Sequence, residues 1–178
     1  MHATLADVIA DTTQNSIEAG ASRVELTVME RDNRIAVTIV DNGKGMDADT
    51  VSRAFNPFYT EPGKHDSRRV GLGLPILKQI CDECDGGVKL ESEPGRGTRL
   101  EYHFRADHID LPPMGDLVEM VMMLFNYPGE FELVFTHRKG DAVDYTISRG
   151  ELAEAVGGFE SPDSLAMARE FLSSQENS

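Results

Sequence analysis

The apolar residues Ile35, Val37 and Ile39 alternate with other residues and run directly into Asp41-Asn42-Gly43-Lys44-Gly45-Met46. Period-two alternation belongs to a strand with one covered face, so this stretch predicts a strand that delivers the Asp41 carboxylate to the rim of a sheet. Gly43 and Gly45 allow the backbone to turn sharply and to approach a flat or charged neighbour that side chains would hold off. Glycine-rich turns after strands are common, so the hexapeptide alone marks a turn, and its purpose depends on the segments around it.

The chain before it predicts a helix over residues 3 to 19, ending ahead of Gly20, with Leu5, Val8 and Ile9 on one face. Asp7, Asp11 and Asn15 recur every four residues and Glu18 follows at three, which puts them on a single stripe. Two readings of that stripe stay open. One is a solvated face; in the other, Asn15 offers its side-chain oxygen to a hard cation and Asp11 positions or deprotonates a water. Val24, Leu26 and Val28 alternate up to the turn residues Asp32-Asn33, which predicts a hairpin with the strand that ends at Asp41.

After the hexapeptide, Asp47 caps a short helix through about Phe55, and Pro57 breaks it. Phe55 and Phe58 around that proline read as a turn pinned into a core. Residues 60 to 70 carry Gly63, Lys64, His65, Arg68 and Arg69 with no apolar period, a composition that a ligand can order. Gly71-Leu72-Gly73-Leu74-Pro75 then opens a second long helix with Ile76, Leu77, Ile80, Cys81 and Cys84 on its buried face. A glycine-rich approach to a helix N-terminus leaves amides exposed to an anion. A second hairpin, Val88 to Ser92 and Leu100 to Phe104, turns through Glu93-Pro94-Gly95-Arg96-Gly97-Thr98.

Cys81 and Cys84 are spaced as Cys-x-x-Cys, but a four-cysteine zinc site needs a second pair. They continue the stripe of Leu74 and Leu77, so helix packing is expected of them. No apolar run approaches a membrane span and the N-terminus has no basic-then-apolar leader, which predicts a cytoplasmic protein without membrane contact. Of the net charge of −14, residues 107 to 178 hold 14 acids against 4 bases. Such a surface repels phosphate backbones, so nucleic acid is not an expected partner.

Taken together, these segments resemble the GHKL superfamily of ATPases, which contains histidine kinase catalytic domains, gyrase-type ATPases, Hsp90 and MutL. Asp11-Thr12-Thr13-Gln14-Asn15 is similar to its N box, Asp41 to Met46 to the G1 box, Phe55 to Phe58 to the F box and Gly71 to Leu74 to the G2 box. Four motifs in the family's order are far more specific than any one. The resemblance covers residues 3 to 106 and implies a two-layer α/β sandwich, the Bergerat ATP-binding fold, as a domain over residues 1–106. It further implies ATP and Mg²⁺ as cofactors. Asp41 would accept from the adenine amino group and Asn15 would bind Mg²⁺, while Gly43, Gly45, Gly71 and Gly73 would give the nucleotide access to the backbone. Thr98 would support the base. Met46, Phe58, Leu72 and Leu74 would be further nucleotide contacts, and residues 59 to 70 would form a lid whose Lys64, Arg68 or Arg69 meets the phosphates.

The sequence departs from the family pattern at Asp11, where hydrolysing members carry Glu, one methylene longer. A second departure is that nothing resembling the dimerising, phosphoacceptor hairpin of sensor kinases precedes Leu5, so a separate protein is expected to supply the acceptor.

Residues 107 to 178 lie outside the resemblance. Helices are predicted at Met114 to Phe125, Glu151 to Val156 and Ser164 to Leu172, and a hairpin from the alternations Phe131, Leu133, Phe135 and Val143, Tyr145, Ile147. This is the pattern of a small C-terminal α+β extension, marginal by itself and expected to meet a protein partner. The expected function is a kinase-type catalytic subunit that transfers phosphate to, or regulates, that partner; the alternative is an ATP-dependent conformational switch with little chemistry. The oligomeric state is not fixed by these features.

Overall fold

The structure, a computed structural model, describes residues 4–58 and 73–177. Helix α1 (Leu5–Glu18) is followed by strands β1 (Arg23–Arg31) and β2 (Arg34–Asp41), the short helix α2 (Ala48–Arg53) and helix α3 (Gly73–Glu83). Strands β3 (Gly87–Glu93) and β4 (Gly97–Arg105) form the second hairpin. Then come α4 (Leu117–Phe125), β5 (Glu132–Lys139), β6 (Val143–Ser148), α5 (Arg149–Val156) and α6 (Pro162–Glu176).

Among the described residues, six strands join one sheet in the order β3-β4-β2-β1-β5-β6. Every neighbouring pair is antiparallel except β1 and β5, which run parallel with Leu26 opposite Phe135. One face is covered: Val24, Leu26 and Val28 of β1, Ile35, Val37 and Ile39 of β2, Leu100, Tyr102 and Phe104 of β4, and Leu133 and Phe135 of β5 are all buried. Helices α1 and α3 pack on the first four strands, α5 and α6 on the last two, and α4 lies between α1 and α6. Two layers result, as the resemblance implies.

The family-like part and the C-terminal part therefore share a sheet and a core, and residue 106 is not a break in either. A unit of about seventy residues would be marginal alone. Docking β5 beside β1 places Leu133 and Phe135, both 0% exposed, under the shared helix layer, and each such side chain is worth about 1.5–3 kcal/mol. Helix α4 starts at Leu117, later than the pattern from Met114 predicts. Gly115 takes a left-handed φ of +82°, Asp116 caps the helix by accepting from the Glu119 amide, and the carbonyls of Pro113 and Met114 serve α1 instead.

The third inward position of β5 is a histidine. His137 is 1% exposed, with Nε2 2.8 Å from Glu30 Oε1 of β1 and Nδ1 2.9 Å from both carboxylate oxygens of Glu176 at the end of α6. Tyr145 of β6 donates its hydroxyl to the same Glu176 carboxylate. Burial works against the charged imidazolium, but the hydrogen bonds to Glu176 and Glu30 outweigh it and raise its pKa to about 9. His137 thus fastens the last helix to the sheet as a cation between two carboxylates.

Cys81 and Cys84 are buried, unbridged and part of the α3 packing face. Burial, followed by the charge of Asp82, pushes the Cys81 thiol up to about 12, and burial also raises Cys84. Thiols held in the protonated form are poor nucleophiles and poor ligands. Among the described residues no helix is long and apolar enough to cross a membrane.

Candidate functional site

A pocket of about 100 Å³ opens between α1, the β2 terminus, the first turn of α3 and the β3-β4 hairpin. It is lined by Thr12, Asn15, Ser16 and Ala19 of the α1 side, by Asp41, Lys44, Gly45 and Met46, and by Leu74, Leu90, Thr98 and Leu100. Of the residues singled out in the sequence, it gathers Asn15, Asp41, Gly45, Met46, Leu74 and Thr98.

Asp41 is the last residue of β2, paired with Thr98 of β4 on one side and Val24 of β1 on the other. The alternation that buries Ile35, Val37 and Ile39 puts Asp41 on the same inward face, where it is 6% exposed. Its Oδ1 accepts from the Gly43 amide at 2.8 Å, while Oδ2 has no hydrogen-bond partner among the described residues. A buried carboxylate oxygen left unpaired costs on the order of 1–3 kcal/mol, so a pocket that offers one is suited to a ligand bearing an N–H.

The two G1-like glycines are required by the protein itself. A Cβ on Gly45, whose φ is +69°, would stand 1.9 Å from the Glu93 carbonyl oxygen. One on Gly43 would stand 2.8 Å from the Ala19 carbonyl oxygen, which accepts from the Lys44 amide at 3.0 Å. The turn is thus wedged between the end of α1 and the β3-β4 hairpin, and the backbone it lets approach is the chain's own. Asn42 completes the wedge, with Oδ1 accepting from the Ser22 and Arg23 amides.

Ser92 had no signal in the sequence beyond its place in a strand. It sits opposite Thr98 in the hairpin, and its hydroxyl accepts from the Met46 amide at 2.8 Å, donates to the Gly97 carbonyl at 2.9 Å and lies 2.8 Å from Thr98 Oγ1. It pins the end of the glycine turn to the pocket floor and orients Thr98. Thr12 is similarly buried, with its hydroxyl donating to the Val8 carbonyl at 2.9 Å and lying 3.0 Å from the Tyr102 hydroxyl. That places the N-box helix against β4.

The polar stripe of α1 divides by role. Asp7 belongs to a capping box with Thr4, accepting from the Thr4 amide at 2.9 Å. Glu18 accepts from the Tyr127 hydroxyl at 2.6 Å. Asn15 lines the pocket, and its Nδ2 faces the start of α3, 4.0 Å from where a Gly73 Cβ would stand. Asp11 is half-buried one turn before Asn15 and is not among the pocket-lining residues.

Phe58 departs from expectation. Read as part of a turn pinned into a core, it is instead 95% exposed, and it is not among the pocket-lining residues. The Asn56 side chain accepts the Phe58 amide at 2.9 Å, a local turn that carries the ring outward. Lys64, Arg68, Arg69, Gly71 and Leu72, with the rest of the expected lid, lie outside the described residues. No cluster of three or more acidic, histidine or cysteine side chains that could hold a metal occurs among the described residues. Asn15 fits a cation that takes its remaining ligands from phosphate and water, which is how Mg²⁺ commonly binds.

Comparison with known proteins agrees with this arrangement. The chain is 35% identical over 88 residues to the sensor histidine kinase YxdK of Bacillus subtilis (strain 168), covering 48% of this chain and 27% of that protein. It is 37% identical over 98 residues to the C4-dicarboxylate transport sensor protein DctB of Rhizobium meliloti (strain 1021), covering 53% of this chain and 15% of that one. The chain thus spans about a quarter or less of the length of these curated relatives. The solved N-terminal domain of a DNA repair protein shares the fold at a TM-score of 0.56 and 12% identity, over 91% of this chain and 58% of that one, so the shared fold extends into the C-terminal segment. The family model for histidine kinase-, DNA gyrase B- and HSP90-like ATPases matches residues 2–108. With residues of the N and G1 boxes and Leu74 lining one pocket and more than half of its length matched by the family model, the chain belongs to that ATPase family.

Proposed function

We propose that this chain binds Mg·ATP in the pocket between α1 and the β3-β4 hairpin and acts as a kinase-type subunit that transfers phosphate to, or regulates, a separate protein. The observation that carries the reading is the buried Asp41 carboxylate, with one oxygen held by Gly43 and the other without a hydrogen-bond partner among the described residues, at a pocket wall. Asp41 accepts from the exocyclic amino group of adenine. Thr98, fixed by Ser92, supports the base, and Leu74, Leu90, Leu100 and Met46 supply apolar contact. Asn15 holds the cation, which when bound neutralises phosphate charge.

Guanine presents a carbonyl where adenine presents its amino group, and opposing a second acceptor to buried Asp41 costs on the order of 1–3 kcal/mol. Calorimetry on the purified chain is expected to show ATP binding at least about fivefold tighter than GTP, and Asp41→Asn is expected to weaken ATP by at least about tenfold. Equal affinities for the two nucleotides would remove Asp41 from this role.

A second reading, an ATP-dependent switch with little chemistry, is favoured by Asp11. It carries the shorter acid at the position of the family's general base and stands outside the pocket lining. General-base catalysis is typically worth 10² to 10⁴-fold and depends on reach. The isolated chain is therefore expected to turn over ATP more slowly than about one per second, with Asp11→Glu faster. Labelled γ-phosphate appearing on a co-purified protein distinguishes transfer from switching.

A further inference from the structure

Both ends of α1, the helix that carries Asn15, are held by the C-terminal half of the chain. At its start, the Leu5 and Ala6 amides donate to the carbonyls of Pro113 and Met114, each at 2.8 Å. These are two of the helix's four orphan donors. Gly115 follows at a left-handed φ, and a Cβ there would stand 2.6 Å from the Cβ and hydroxyl of Thr4, the residue that caps α1. At its end, Glu18 accepts from Tyr127. Helix α4 lies along α1 between these two points.

Tyr127 is set by an arginine that no motif marks. Arg149, the first residue of α5, donates to the carbonyls of Phe125 at 2.7 Å, Phe131 at 2.9 Å, Tyr127 at 3.1 Å and Gly129 at 3.2 Å. Its guanidinium carbon stands 4.0 Å from the centre of the Phe131 ring. A planar fork with five donors can gather four carbonyls and stack on a ring at once, and a lysine cannot. Phe125 is the last residue of α4, so the guanidinium also sits where the helix dipole favours a cation.

We infer that residues 113–131 form a cradle that sets the position of α1, its end at residues 125–131 gathered by Arg149, and that Tyr127 and Arg149 are positioning residues for nucleotide binding. This inference rests on the proposed ATP site. Asn15, Ser16 and Ala19 of the pocket lie in the last turn and cap of α1, beside Glu18. Ala19 also accepts the Lys44 amide, so a displaced α1 end carries the glycine turn with it. By linkage, a ligand that prefers the seated helix must in turn steady the cradle.

The test uses the full chain. Tyr127→Phe, which removes one hydroxyl, is expected to weaken Mg·ATP about threefold or more by calorimetry and to speed amide exchange over residues 15–19 without nucleotide. Glu18→Gln keeps an acceptor and is expected to bind ATP like the wild type. In a Glu18→Ala background, Tyr127→Phe should lose the share of its effect that the shared contact carries, which a double-mutant cycle reads directly. Arg149→Lys should reproduce the loss, and ATP should increase protection over residues 126–131 in the wild type. Arg138→Gln, which breaks an exposed pair between β5 and β6, is the control and should bind normally. Unchanged ATP affinity and unchanged exchange over 15–19 in Tyr127→Phe overturn the cradle. A wild-type chain that binds no ATP overturns the nucleotide reading instead, and the exchange measurement then still decides whether Tyr127 seats α1.

Discussion

Replacing His137 with alanine is expected to cost about 3–5 kcal/mol of unfolding free energy, because it removes the buried cation between two carboxylates and leaves only the exposed Lys139, 4.0 Å from Glu30, to offset them. Glu30 and Glu176 keep only 18% and 17% of their side-chain surface, so water cannot fully replace the imidazolium. The three residues come from β1, β5 and the end of α6, and the loss should first release α6. Urea denaturation checks the magnitude; a shift below about 1 kcal/mol would mean that the triad is already solvated. The same cluster gives a pH signature. The folded pKa of His137, about 9, lies above its ordinary value of 6.5, so its stabilisation is complete below pH 6.5 and is lost as the pH rises through 9. Wild-type stability should fall by about 3 kcal/mol across that window, and His137→Gln should lack this component. Glu176 titrates in the opposite sense: burial opposes its charge, hydrogen bonds from His137 and Tyr145 prevail, and its pKa is lowered. Its contribution is lost as the pH falls through that lowered value.

Gly45→Ala is expected to cost roughly 2–5 kcal/mol, combining left-handed strain with overpacking, and to weaken ATP binding along with stability. The added methyl would meet the Glu93 carbonyl oxygen at 1.9 Å, and that atom is backbone in a hairpin that cannot yield alone. Gly97, whose Cβ would stand 2.0 Å from the Asp41 carbonyl oxygen, makes the reciprocal approach. The two glycines let the G1 turn and the hairpin interlock beneath the pocket. Gly95 supplies the comparison. It has a φ of +76° but nothing within 4 Å of its Cβ position, so Gly95→Ala should cost only the strain, about 1–2 kcal/mol. Equal losses in the two variants, read by denaturation midpoint, would show that the close approach to Glu93 is not what fixes the turn.

The site and its scaffold differ in how local their causes are. Asp41 could be placed from sequence because its position depends on one strand: with Ile35, Val37 and Ile39 inward, parity puts residue 41 inward as well. Helical spacing likewise put Asn15 on one stripe with Asp11, and the left-handed turn at Asp32-Asn33 joined β1 to β2 as the pattern implied. Spacing left the purpose of the stripe open, because it cannot tell a ligand from a cap: Asp7 serves Thr4 and Glu18 serves Tyr127. Phe58 was misplaced for a related reason, since an aromatic beside a proline carries no information about which way an Asn56 turn points it.

What the sequence by itself determined is the set of elements and the chemistry at their ends: the strand carrying Asp41, the glycine turn after it, the Asn15 helix and the boxes in family order. Each follows from forces acting over a few residues, namely side-chain parity, helical period, capping and the conformational freedom of glycine. Only the tertiary structure decided that β5 lies parallel to β1 and extends the sheet, that His137 joins Glu30 across 107 positions and Glu176 across 39, and that Arg149 gathers the carbonyls beneath α1. Those pairings are set by which apolar faces can be buried together and by which buried charges must then find partners, and neither is written in any one segment's periodicity.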